Sequence, residues 1–231
     1  MRARLGSFRM LYRVEPGLYA IGSPGGLSDV FVSANYKLSF DLLRRELTGS
    51  DAWILVLDTK GINVWCAAGK GTFGTAELIR RVKETNLTER VQHRHLILPQ
   101  LGAPGIQAHL VREATGFAVS FGPVRARDLP AYLQAGRKAT PAMRTVRFGL
   151  LDRLELTPME VLPALRYYPW FLLGIALLFG LRPQGILFVP ALAGGWTYAL
   201  LGLAMVLAGG FLTPVLLPWV PFRSFTLKGW T

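Results

Sequence analysis

Apolar residues in the first two thirds of the chain fall into short runs separated by mixed segments. Val30-Phe31-Val32 predicts a short strand, and Leu38, Leu42, Leu43 and Leu47 recur at helical intervals. Trp53-Ile54-Leu55-Val56-Leu57 is a continuous apolar run ended by Asp58-Thr59-Lys60-Gly61. A run of that length suits a parallel strand buried on both faces. Thr75 to Glu84 reads as a helix with Ala76, Ile79 and Val82 on its inner side and Arg80, Arg81 and Lys83 elsewhere. Leu96-Ile97-Leu98, stopped by Pro99, and Phe117 to Phe121 predict two more strands. Asp128 then opens a helix that turns Leu129, Tyr132 and Leu133 inward. Strand alternating with helix predicts an α/β domain, a parallel-type sheet flanked by helices.

The pattern changes after Pro163. Trp170 to Leu181 is apolar, Arg182-Pro183-Gln184-Gly185 interrupts it as a turn would, and Ile186 to Val220 runs without a charge. A membrane helix needs about 20 apolar residues. The expected organisation is therefore a soluble domain over residues 1–166 and a transmembrane helical segment of about two spans over residues 167–231. Arg182 is expected on the far side, with Arg223 and Lys228 back in the cytoplasm.

Charge fits that division. All 14 Asp and Glu and all but three of the 26 Lys and Arg precede Tyr168. A basic domain beside a membrane is explained by the retention of Lys and Arg on the cytoplasmic side and their attraction to anionic lipid. Aromatic and basic residues do not interleave as in a single-strand groove, so nucleic acid is not an expected partner. The N-terminus, Met1-Arg2-Ala3-Arg4, is basic but no apolar run follows it, so no secretory signal is read there and a cytoplasmic domain is expected. With one cysteine the chain forms no internal disulfide and cannot hold an iron–sulfur cluster by itself.

The chemistry concentrates in Asn63-Val64-Trp65-Cys66-Ala67-Ala68-Gly69-Lys70-Gly71-Thr72-Phe73-Gly74, between a predicted strand and a predicted helix. Ligands in α/β sheets sit beyond the carboxyl ends of strands. A phosphate loop is excluded, because Gly61 and Gly69 are too far apart and Gly71 stands where the hydroxyl residue belongs. Gly69, Gly71 and Gly74 have the bare dinucleotide spacing but do not follow a strand end directly. Asn63 can cap a short helix reaching about Lys70. Cys66 then lies in its first turn, where the helix dipole favours thiolate, and Lys70 falls on the same face. Ala67, Ala68 and Gly69 leave that face bare for something flat and large. A plain buried cysteine is the alternative.

Asn63 to Lys70 resembles the cap-helix motif N-(V/I)-W-C-A-(A/G)-G-K of the mercury-methylating corrinoid protein family (HgcA). Pro16-Gly17-Leu18-Tyr19-Ala20, Ser33-Ala34-Asn35-Tyr36-Lys37-Leu38, Leu98-Pro99-Gln100-Leu101-Gly102-Ala103 and Gly122-Pro123-Val124-Arg125-Ala126 resemble it too. The resemblance implies a Rossmann-like fold similar to the corrinoid-binding domain of corrinoid iron–sulfur proteins. It implies a corrinoid (cobalamin) cofactor whose cobalt takes the Cys66 thiolate as lower axial ligand. The methyl group would pass to Hg(II), giving methylmercury. Asn63, Val64 and Trp65 would shape the helix beneath the ring, Ala67, Ala68 and Gly69 would keep it close, and Lys70 would meet the corrin edge. Ser33 would contact the cofactor tail and Ala126 would line the pocket. The implied partners are a ferredoxin-like iron–sulfur protein as electron donor and a folate-linked methyltransferase as methyl donor. Members of that family carry about five spans, so the resemblance implies a member shortened at its C-terminus. The D-x-H-x-x-G cobalamin motif is absent, and His93, His95 and His109 are expected to be surface or loop residues. A membrane-attached corrinoid carrier or sensor, and a redox-sensing thiol module without cofactor, remain open beside methyl transfer to mercury.

Overall fold

The computed structural model describes residues 12–154, 157–183, 185, 186, 188–222, 224 and 226 of the chain. Met1 to Arg4, Gln184, Arg223 and Lys228, singled out above, lie outside the described residues. The chain divides into two compact units, one ending at Val146 and one from Arg147 onward. The boundary falls earlier than the change of composition near Arg166, because the first long helix of the second unit begins in charged sequence at Thr157.

The strands of the first unit are β1 (Gly17–Ile21), β2 (Val30–Ala34), β3 (Ala52–Leu57), β4 (His95–Leu98) and β5 (Ala118–Phe121). Its helices are α1 (Lys37–Glu46), α2 (Val64–Gly69), α3 (Thr75–Glu84), α4 (Leu87–Arg90), α5 (Ala108–Thr115), α6 (Leu129–Gln134) and α7 (Pro141–Arg144). The sheet order is β1-β3-β2-β4-β5. β2 to β5 run parallel, in register Val32 to Leu55, Phe31 to Ile97 and Leu96 to Val119, and β1 is an antiparallel edge on β3.

Strand periodicity sorts the core into two layers. Val30, Val32, Leu55, Leu57, Leu96 and Leu98 face α3 and α5, where Leu78, Val82, Val111 and Phe117 complete one cluster. Phe31, Ile54, Val56 and Ile97 face the other way, onto Phe40, Leu43 and Leu47 of the α1 region and Leu129 and Tyr132 of α6. The α/β expectation holds. One helix face needs correction: in α3 the buried residues are Leu78, Arg81 and Val82, while Ala76 is exposed. Arg81 can be buried because Glu77 and Glu84 take its guanidinium at 2.9 and 3.0 Å.

The second unit contains α8 (Leu150–Leu154), α9 (Thr157–Gly180), α10 (Phe188–Leu207) and α11 (Thr213–Leu216), with a π turn at Ala208–Leu212. β6 (Leu181–Arg182) and β7 (Gly185–Ile186) form the antiparallel link between α9 and α10. Two helices are long and apolar enough to cross a membrane. They approach closely because glycines of α10 and of the π turn after it receive large residues of α9. Phe179 sits on Gly194, Ile175 on Gly195, Phe171 on Gly202 and Val161 on Gly210. Arg153 is buried, with its guanidinium 5.2 Å from the Trp219 ring centre and donating to the Val215 carbonyl.

Candidate functional site

The carboxyl ends of β2, β3, β4 and β5 share one edge of the sheet, and the site is built there. β3 is followed by Asp58-Thr59-Lys60-Gly61, in which Lys60 and Gly61 are both left-handed, with φ of 59° and 74°. This tight turn starts α2. Asn63 caps the helix as expected, its Oδ1 accepting from the Cys66 N–H at 2.9 Å. Cys66 is therefore the third residue of a helix held at its start, and it is exposed.

The two sides of α2 differ from the expected picture. Ala67 and Ala68 do not form the bare outer face; both are buried in the core. Their small size lets the segment after the helix fold tightly beneath it, with the Thr72 and Phe73 amides both donating to the Ala67 carbonyl at 3.0 and 3.1 Å. Phe73 is fully buried against the turn Gln100–Gly105, where a Cβ on Gly102 would come within 2.5 Å of the ring and one on Gly105 within 2.1 Å of the Phe73 carbonyl. The outer face consists of Trp65, Cys66, Gly69 and Lys70, beside the exposed cap Asn63. Gly69 there has open space around it. Lys70 lies one turn from Cys66, its N–H donating to the Cys66 carbonyl at 3.1 Å.

Beside α2 an apolar cavity of about 320 Å³ opens between the ends of β2, β4 and β5. It joins expected residues from distant parts of the chain: Ser33, Asn63, Val64, Trp65 and Ala126 all line it. Cys66, Ala67, Ala68, Gly69 and Lys70 do not. Ser33 is buried and its hydroxyl donates to the Ala34 carbonyl at 3.3 Å. Ala126 opens a 3-10 turn just after β5. The pattern reading missed the rest of the wall, chiefly Leu42 and Leu43 of α1, Leu98 and Pro99 after β4, and Gly122 and Val124 after β5. The Leu98–Ala103 and Gly122–Ala126 segments marked by the resemblance are those loops. The cavity sits where β3-β2-β4 reverses the sheet order, the position at which open α/β sheets bind ligands.

Electrostatics brace the turn before the helix. The Asp58 carboxyl is held below its usual range by the hydrogen bond from Lys60, against the upward push of burial. Burial pushes Glu77 up, but the Asp58 N–H and the Arg80 and Arg81 guanidiniums outweigh it and hold the carboxyl below its ordinary value. Among the described residues no three His, Cys, Asp or Glu side chains gather to hold a metal ion. None of the three histidines lines the cavity. His95 is not a loop residue but opens β4, half-buried, where burial and then Arg137 hold it below its ordinary value. His93 places Nε2 2.8 Å from the Ser28 carbonyl, and His109 is exposed on α5.

The α/β unit has known relatives. Residues 8–133 match the family described as CO dehydrogenase/acetyl-CoA synthase delta subunit. The acetyl-CoA decarbonylase/synthase complex subunit gamma of Archaeoglobus fulgidus is 34% identical over 124 residues, 53% of this chain and 26% of the relative. The subunit of the same name from Methanopyrus kandleri is 36% identical over 124 residues, 52% of this chain and 26% of the relative. The corrinoid/iron-sulfur protein large subunit of Moorella thermoacetica is 29% identical over 125 residues, 53% of this chain and 28% of the relative. The matched stretch spans about a quarter of the length of these relatives, and the helix hairpin lies outside the family match. By a match over more than half of its length, the chain belongs to the CO dehydrogenase/acetyl-CoA synthase delta subunit family.

Proposed function

We propose that this chain is a membrane-tethered corrinoid protein that transfers a methyl group to Hg(II), with the Cys66 thiolate as the lower axial ligand of cobalt. The observation that carries the reading is an exposed sulfur, presented by a capped helix at the carboxyl edge of the sheet, next to an apolar cavity. These features fit the cofactor. A soft donor suits cobalt, the outer face of α2 at Gly69 is open, and the cavity suits an organic side arm of the corrinoid rather than its whole ring.

In this reading Cys66 would hold the cobalt, with Trp65, Gly69 and Lys70 available to contact the corrinoid. Asn63, Val64, Ser33 and Ala126, which line the cavity, would hold its side arm, while Ala67 and Ala68 act from within by letting α2 sit close to the core. When bound, the corrinoid supplies a transferable methyl group, and a strongly donating thiolate favours its release. With one cysteine the chain depends on an external reductant, for which a ferredoxin-like iron–sulfur protein is suited; a folate-linked methyltransferase would supply the methyl group. The hairpin would anchor the protein in the cytoplasmic membrane, with the basic α/β unit on the cytoplasmic side.

Hg(II) as acceptor rests on the resemblance of Asn63 to Lys70. The relative named corrinoid/iron-sulfur protein supports a second reading, in which the same site carries methyl to another acceptor. The test uses the full chain in detergent, loaded anaerobically with cobalamin, beside Cys66→Ala. The expected result is a cobalt–thiolate absorption that Cys66→Ala loses while its far-UV spectrum is unchanged. Protein loaded instead with methylcobalamin and given Hg(II) should then yield methylmercury faster than free methylcobalamin does, read by mass spectrometry. Corrinoid uptake without faster methylmercury formation favours the second reading, and no uptake by either protein ends both.

A further inference from the structure

We propose that Asn35 is a positioning residue for Cys66: one buried carboxamide templates the turn from which the sulfur-bearing helix starts. The proposal deepens the reading of Cys66 as cobalt ligand and rests on it for its spectroscopic consequence.

Asn35 follows β2 directly and is 1% exposed. Its backbone is fixed from both sides, the N–H donating to Leu57 at 3.0 Å and the carbonyl accepting from Val14 at 2.9 Å. The side chain therefore has a fixed origin. Its Oδ1 accepts from the Thr59 N–H at 3.0 Å, the Thr59 hydroxyl at 2.8 Å and the Gly61 N–H at 2.9 Å. Its Nδ2 donates to Asp58 Oδ1 at 3.3 Å. Every side-chain bond goes to the turn after β3. Two successive left-handed residues, one of them Lys60, persist in such a turn when their surroundings over-determine them.

The connection onward is short. Ile62 N–H closes the turn on the Thr59 carbonyl at 3.1 Å, and the next residue is Asn63, which caps Cys66. Glu77 grips the same turn from α3 through the Asp58 N–H at 2.8 Å. Only a carboxamide serves at position 35. It must accept from two buried N–H groups and donate to a carboxylate, which neither a carboxylate nor an aliphatic side chain does.

The test compares the full chain with Asn35→Ala and Asn35→Asp. Without corrinoid, amide hydrogen exchange over residues 59–70 should quicken roughly tenfold or more in both variants, as expected when buried donors lose a partner or face a like charge. Exchange in β4 should not change. With cobalamin, both variants should retain corrinoid but lose cobalt–thiolate absorption. Unchanged exchange, or faster exchange spread equally over the α/β unit, overturns the proposal, as does a wild-type spectrum in Asn35→Ala. If Asn35→Ala does not fold, Asn35→Asp decides: exchange over residues 59–70 no faster than in the unaltered chain overturns it. If the unaltered protein binds no corrinoid, the cobalt reading fails, and the exchange measurement alone decides the role of Asn35.

Discussion

Leu27 in the α/β unit and Met205 in the helix hairpin are almost equally exposed, at 78% and 74%. Their surroundings give that exposure opposite meanings. In the α/β unit it is a local exception, because Ile54, Leu55, Leu57, Leu78 and Phe73 are fully buried and the sheet faces divide cleanly between two helical layers. In the hairpin it is the rule. Among the described residues from Arg147 onward, only Gly180, Ala191, Gly195 and Arg153 are buried. The first unit removes apolar area from water by packing against itself. The second leaves most of its apolar side chains exposed, on two helices long and apolar enough to cross a membrane. The two regions thus have to be judged by different tests of the same property.

The largest expected effect lies under the site. Phe73→Ala empties a ring held between α2 and the Gly102–Gly105 turn and should cost about 3–5 kcal/mol, measured by denaturant unfolding of the α/β signal in detergent. A cost near zero would mean that the helix bearing Cys66 is not clamped by the core. Next comes the paired substitution Met205→Asp and Leu27→Asp. The first should disfavour membrane insertion by about 2.5–3.5 kcal/mol, read in a translocon insertion assay. The second should change stability by no more than about 0.5 kcal/mol. Equal tolerance at both positions would break the contrast between the regions.

A further effect is pH-dependent and confined to the α/β unit. Glu77 has a lower carboxyl value folded than unfolded, so as pH falls the unfolded chain takes up the proton first. Its contribution is complete above the ordinary value of 4.5 and is lost as pH falls through the folded one. Glu77→Gln should therefore flatten the acid limb of the stability curve and lower neutral stability by about 1 kcal/mol, allowing for solvent screening. An acid limb as steep as before would assign that limb to other carboxylates.

Local periodicity was informative where a single element made its own case. The Thr75–Glu84 helix keeps its predicted bounds, and the Asn63 cap forms as its spacing requires. The same pattern misassigned Ala76, because the inner face of α3 includes Arg81, whose burial depends on two carboxylates positioned by the fold. β1, a half-exposed antiparallel edge strand, escaped notice although Leu18-Tyr19-Ala20-Ile21 is itself an apolar run. α5 was missed although Val111 is fully buried, the one buried residue among its eight.

The sequence by itself determined the alternation of strand and helix, the apolar length of the tail, the single cysteine and the cap that places it in the first turn of a helix. These properties depend on residues a few positions apart, and hydrophobic period, capping and length express them locally. Only the tertiary structure decided that Ser33, Trp65 and Ala126 share one cavity, that Ala67 faces inward, and that Asn35 reaches Asp58, Thr59 and Gly61. Those meetings follow from the order β3-β2-β4, which sets the end of β2 between two later strands. Strand order is settled by packing among elements far apart in the chain, so no local pattern contains it.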